Sequence, residues 1–196
     1  MSRPVLQVVV ASTRPGRRGL AVARWVERLA QEHGGFDVEL VDLAEVGLPL
    51  FDEPDHPRLR QYVHDHTRRW SATVDRADAF VFVTPEYNHS FPASLKNALD
   101  HLAQEWADKA AGLVTYGGVS GGLRASAALK PVLGALRVHT VPEAVSVPFF
   151  AQFIDEEDEF VPNDQLAAGG TAMLDELLRL TTALRTLRAA AEQPAA

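Results

Sequence analysis

Residues 79–102 read AFVFVTPEYNHSFPASLKNALDHL, and the order of patterns in this stretch decides the fold. Ala79–Thr84 is a short, almost wholly apolar run, the signature of a strand buried on both faces. Pro85–Phe91 is a polar and aromatic loop, and Pro92–Leu102 carries a helical pattern. Proline opens that helix without penalty, because the first-turn amide has no intrahelical partner.

Strand, loop and helix recur on both sides of this unit. Toward the amino end, Leu6–Val10 reads as a buried strand within the run VLQVVV at Val5–Val10. Leu20, Ala23, Val26, Leu29 and Ala30 then recur at helical spacing, and Gly34-Gly35 stops the helix. Phe36–Leu43 is a second strand, with Phe36, Val38 and Leu40 alternating with Asp37 and Glu39. A proline- and acid-rich loop from Pro49 to Pro57 precedes a weaker helical pattern through Tyr62, Val63, His66 and Trp70. Toward the carboxyl end, Ala110–Tyr116 is a fourth strand, Ala125–Leu136 a helix and Arg137–Val141 a fifth strand. Leu166, Met173, Leu177, Leu180, Leu184 and Leu187 predict a long amphipathic helix over Gln165–Ala190. Repeated strand–helix units predict an α/β fold with a parallel sheet covered on both faces, one domain over residues 1–196 and right-handed crossovers.

Composition narrows the function. Apolar residues make up 46% of the 196, enough for a substantial core and too many for disorder. Nineteen basic residues against 26 acidic ones give a net charge of −7, which argues against a general nucleic-acid binder. The charge is uneven: residues 1–30 hold Arg3, Arg14, Arg17, Arg18, Arg24 and Arg28 against Glu27 alone. Residues 155–164 hold six acids and no base, which predicts a solvated loop. The chain has no cysteine, excluding disulfides, thiol catalysis and cysteine-held zinc or iron–sulfur centres. No leader pattern is read, and no apolar run approaches the ~20 residues of a spanning helix. A cytoplasmic location away from membranes is the expectation.

Ligands of such sheets bind beyond the carboxyl ends of the strands, and three segments fall there. Ala11–Gly19 offers Ser12, Thr13, Arg14 and Arg17 at a helix amino end, either a phosphate cradle or a capped helix with solvated arginines. It has neither a P-loop lysine nor a dinucleotide GxGxxG pattern. Thr84–Pro92 carries Pro85, Glu86, Tyr87, Asn88 and His89, suited to the face and edge of a flat heterocycle. Tyr116–Gly122 contains Gly117, Gly118, Val119 and Ser120 and would let a planar ligand approach the backbone, unless it is only a flexible turn. No metal site is expected. His64 and His66 fall on different faces if both are helical, and Asp52, Glu53 and Asp55 match no metal-loop spacing. Ser90 and Ser120 lack the context of a hydrolase nucleophile.

Three motifs together resemble the NADPH-dependent FMN reductase family: Ser12-Thr13-Arg14-x-x-Arg17; Pro85-Glu86-Tyr87-Asn88-His89-Ser90-x-Pro92-x-x-Leu95-Lys96-Asn97-Ala98-x-Asp100; and Gly117-Gly118-x-Ser120-Gly121-Gly122. The likeness runs from the first strand through Val138–Val145 and weakens after Phe150. Ala11 stands where the family usually has glycine, which implies a less permissive turn with binding retained. The resemblance implies a flavodoxin-like three-layer sandwich with a five-stranded parallel sheet of order 2-1-3-4-5, non-covalent FMN, and two or four subunits. It assigns Ser12, Thr13, Arg14 and Arg17 to the FMN phosphate. Pro85, Glu86, Tyr87, Asn88 and His89 would line the isoalloxazine, and Gly117, Gly118, Val119 and Ser120 would approach it from the third loop. It further implies hydride transfer from NADPH or NADH through FMN to free flavin, a quinone or another small acceptor. A quinone or azo-compound reductase shares such a site, and a flavin-binding electron carrier is the non-enzymatic alternative.

Overall fold

Val5–Val10 is β1, and from Leu6 onward every side chain of it is buried. Gly19–His33 is α1, closed by Gly34, whose φ of 72° lets its amide reach the carbonyls of Ala30 and Gln31. Asp37–Asp42 (β2) leads into a short helix, Leu43–Val46 (α2), capped by the Asp42 carboxylate. After an irregular connection come Asp65–Asp75 (α3), Ala79–Pro85 (β3), Ala93–Asp100 (α4), Lys109–Tyr116 (β4), Leu123–Ala135 (α5), Val138–Val147 (β5) and Asp164–Ala191 (α6). The computed structural model describes residues 2–191.

All strand pairs are parallel and the order is β2-β1-β3-β4-β5, the order implied by the resemblance. Two apolar layers flank the sheet. Leu6, Val8, Val81 and Val114 face α1 and α6, where Val22, Val26, Met173 and Leu177 meet them. Val9, Phe80, Phe82 and Leu113 face the other side, against Trp70, Leu95, Leu99, Trp106 and Leu129. This arrangement makes a three-layer α/β sandwich. Among the described residues no helix is long and apolar enough to cross a membrane.

One sequence expectation is corrected. The fifth strand extends to Val147 rather than ending at Val141. Its register to β4 jumps from Ala111–Thr140 to Leu113–Ala144, a bulge around Pro142 that an edge strand tolerates. The acidic run is a loop with its acids at the surface, as expected, but it is anchored. Phe160 within it is buried against Trp25 of α1, with ring centroids 5.0 Å apart, and Glu159 pairs with Arg28 at 3.0 Å.

Candidate functional site

β1, β3, β4 and β5 end at one edge of the sheet, and the four connections leaving them build a shared cleft. In the first, the Ala11 amide donates to the Val83 carbonyl at 3.0 Å and Ser94 Oγ donates to the Ala11 carbonyl at 2.6 Å. Ala11 is wholly buried and is not among the positive-φ residues, so its methyl group fits this turn without strain. Gly16, at φ 69°, then reverses the chain, and the Arg17 amide donates to the Arg14 carbonyl. No side chain caps the amino end of α1, which leaves its first amides free to meet an anion. The first residue of α1, Gly19, is glycine for a steric reason: a Cβ there would lie 2.1 Å from the Tyr116 hydroxyl oxygen.

The second connection is a tight hairpin. Tyr87 and Ser90 exchange amide-to-carbonyl hydrogen bonds of 2.8 and 3.0 Å, while Asn88 and His89 take φ values of 49° and 67°. Two successive positive φ angles are those of a type I′ turn. The Tyr87 hydroxyl lies 2.8 Å from Ser12 Oγ and ties this hairpin to the first connection.

Glu86 ties it to the third. Its carboxylate accepts from Ser120 Oγ at 2.8 Å, from the Arg124 amide at 3.1 Å and from the Arg124 guanidinium at 2.8 Å. Burial acts to raise the Glu86 pKa, but these hydrogen bonds, Arg124 foremost, hold it below the usual carboxylate value. Glu86 is therefore an ionised tie between loops. Gly117 and Gly118 in turn accept the amides of Phe150 and Phe149 at 3.2 and 2.9 Å, which brings in the connection after β5.

The resulting cleft has a volume of about 560 Å³, within the range of small-molecule sites. Of the residues expected from sequence, Ser12, Arg14, Arg17, Pro85, Glu86, Tyr87, Gly117 and Gly118 line it. Thr13 opens instead on a neighbouring groove beside Ala44 and Ser94, and Val119 and Ser120 line a separate depression with Leu123 and Pro148. Asn88 and His89 sit exposed at the hairpin tip, outside the lining. Arg17 pairs with the buried Asp42 carboxylate at 2.5 Å, yet its Nε is buried without a partner. Arg14 is exposed and makes no ion pair among the described residues.

Sequence reasoning missed the far wall: Phe149, Phe150 and Gln152. Phe150 packs on Tyr116 with centroids 5.0 Å apart, and Phe149 stands in left-handed backbone at φ 47°. The signal was the continued recurrence of Val141, Val145 and Val147 past Pro142, which carries the last strand to the same edge. A larger cleft, about 1150 Å³, lies where β4 and β5 begin, lined by Asp108, Arg137 and Arg58. It is at the opposite end of the strands from these connections and lacks their glycines and helix amino end, so the smaller cleft is the stronger candidate.

Comparison with known proteins gives the chain a family. The family model for NADPH-dependent FMN reductase matches residues 5–152. A Schizosaccharomyces pombe protein described as an NAD(P)H-dependent FMN reductase is 43% identical over 141 residues, 71% of this chain and 70% of its own length. A Saccharomyces cerevisiae protein of the same description is 34% identical over 153 residues, 72% of this chain and 80% of its own. Among solved structures, the flavoenzyme FerB of Paracoccus denitrificans superposes with a TM-score of 0.73 at 22% identity, covering 92% of this chain and 98% of its own. The matched span takes in all five strands and the four connections of the cleft, and on that evidence the chain belongs to the NADPH-dependent FMN reductase family of flavin-dependent oxidoreductases.

Proposed function

We propose that the cleft at the carboxyl edge of the sheet holds FMN and that the protein is an NADPH- or NADH-dependent reductase of small acceptors. The observation that carries this reading is the pairing of opposite chemistries in one cleft. Arg14, Arg17 and the uncapped start of α1 share it with the Tyr87, Phe149 and Phe150 rings and with open glycine backbone. The residues fit the cofactor in three further respects. Arg17 Nε is a buried donor without a partner, as a phosphate oxygen would require. Nothing lies within 4 Å of a Cβ position on Gly118, so a ring can approach that backbone. Family membership supplies the identity of the cofactor class.

In this reading Ser12, Arg14 and Arg17 hold the phosphate, with the α1 amides contributing a fixed positive potential, while Thr13, expected there from sequence, faces the neighbouring groove. Pro85, Glu86 and Tyr87 border the ring chiefly through backbone groups, and Gly117 and Gly118 approach it from the third connection. Bound FMN supplies the chemistry of accepting hydride from a nicotinamide nucleotide and passing electrons to free flavin, a quinone or another small oxidant. The chain orients and screens. Ser12 fixes Tyr87, Glu86 and Arg124 fix the spacing of two loops, and the aromatic walls limit water. An assembly of two or four copies rests on the family likeness.

The test is an anaerobic stopped-flow experiment on FMN-reconstituted protein, mixed with NADPH or NADH and then with a panel of acceptors. Rapid bleaching of the flavin band by a nicotinamide, followed by recovery with a quinone or free flavin, is the expected result. Reduction that proceeds only through a protein partner would overturn the enzyme reading in favour of an electron carrier.

A further inference from the structure

Away from the cleft, Asp52, His66 and His101 converge: one ligand-type atom from each lies within 4.8 Å of the others, the only such group among the described residues. Asp52 belongs to the connection between α2 and α3, His66 to the first turn of α3, and His101 follows α4 directly. His66 Nε2 is 2.9 Å from Asp52 Oδ1, and the His66 and His101 rings meet edge to face with centroids 6.0 Å apart. His64, set aside in the sequence reading as lying on a different helical face, precedes α3 in extended backbone. Its ring stacks on that of His66 at 5.1 Å.

His101 gives the cluster a chemical direction. The side chain is wholly buried, and its Nδ1 lies 2.8 Å from the Asn97 carbonyl oxygen. A carbonyl only accepts, so Nδ1 carries the hydrogen and Nε2 of the neutral ring presents a lone pair. That Nε2 is buried and has no hydrogen-bond partner. Buried polar atoms are normally satisfied, and a histidine that ligates a metal commonly donates its other ring N–H to a backbone carbonyl in this way. The carbonyls at the end of α4 add a negative potential favourable to a cation.

The supporting contacts position the donors in advance. The Asn97 amide group donates to the Pro49 carbonyl at 2.7 Å, and its Oδ1 accepts the Phe51 amide at 2.9 Å, clamping the chain beside Asp52 onto α4. The buried Glu53 carboxylate accepts the amides of Val63 and His64 at 2.8 and 3.1 Å, drawing the start of α3 toward Asp52. We propose that Asp52, His66 and His101 form a binding site for a divalent first-row transition ion, with zinc as the archetype and a fourth position open to water. Two imidazole nitrogens and one carboxylate suit such an ion over Mg²⁺ or Ca²⁺, which prefer all-oxygen shells. Ligand atoms around tetrahedral zinc stand about 3.3 Å apart, so the three donors reach that geometry by small side-chain movements. Bound there, the ion clips the α2–α3 connection to the carboxyl end of α4.

Tag-free protein with its flavin, stripped with EDTA and dialysed, is titrated with Zn²⁺ by isothermal titration calorimetry and melted with and without Zn²⁺. One saturable site per chain of micromolar or tighter affinity and a raised melting temperature are expected. His66→Gln and Asp52→Asn alter partly exposed side chains, so each folds with the wild-type melting temperature in EDTA and binds Zn²⁺ at least about tenfold more weakly. Absence of saturable binding overturns the site. So does wild-type affinity in both variants, which would place the ion on another pair such as His33 and Asp175. Displacement of Zn²⁺ by modest Mg²⁺ would overturn the role of the nitrogen donors.

Discussion

Arg14 and Arg17 stand three residues apart in one connection, and their surroundings give them different work. Arg17 compensates the Asp42 carboxylate, whose side chain is only 4% exposed, so its removal would strand a buried charge and lower stability as well as binding. Arg14 has no such structural partner among the described residues, which makes it the cleaner probe of the phosphate assignment. Arg14→Ala should weaken FMN retention by about 1.5–3 kcal/mol, the range of a charge-assisted hydrogen bond, with little change in folding stability. Equilibrium dialysis followed by flavin fluorescence measures it, and unchanged affinity would remove Arg14 from the site. The sequence made both arginines visible as cations at a helix start. It did not show Asp42 behind one of them, because that contact joins the ends of β1 and β2 across the sheet.

At the scale of elements, Lys109 shows how a buried charge is kept at the start of β4. Its ammonium donates to the carbonyls of Val74 and Asp75 at 2.8 and 3.0 Å, closing the carboxyl end of α3. Burial pushes its pKa down to about 8, against which Asp75 and Asp78 act only partly. Between that value and the unfolded lysine's ordinary one near 10.5, the unfolded chain binds the extra proton, so this group adds stability as pH rises through the window. The stability difference between wild type and Lys109→Met should therefore move in favour of wild type from pH 8 upward, by at most about 1.4 kcal/mol per pH unit. Urea midpoints of both proteins across that range check it, and parallel curves would mean that Lys109 titrates normally. The hairpin Tyr87–Ser90 and the long β5 are elements the sequence concealed. Asn88-His89 lacks the glycine that usually announces a type I′ turn, and Pro142 reads as a strand terminator until the bulge shows how an edge accommodates it.

For the whole molecule, the regional charge imbalance becomes an arrangement in space. Arg3, Arg17, Arg18 and Arg28 each meet an acid, at Asp37, Asp42, Asp158 and Glu159. Most of the amino-terminal positive charge is thereby balanced by β2 and by the acidic run, and Arg14 is left facing the cleft. A ligand held by all four connections at that edge stabilises the fold as a unit. FMN at about 100 times its dissociation constant should add about 2.7 kcal/mol, which raises the melting temperature by roughly 5–10 °C for a chain of this size. Differential scanning calorimetry with and without FMN tests this, and an unshifted transition would argue against binding to the folded state.

The sequence by itself determined the class of fold and most of the candidate site. Apolar strand runs, helical spacings and three unusual loops are local patterns, set by burial on two faces and by backbone geometry, and each is readable within about ten residues. Only the tertiary structure decided which loop residues share the cleft. That depends on side-chain direction and on partners far away in the chain, such as Tyr87 on Ser12, Glu86 on Arg124, and Phe149 beside Gly118. It also gathered Asp52, His66 and His101, whose separations along the chain carry no recognisable spacing until two helices and an irregular connection pack together.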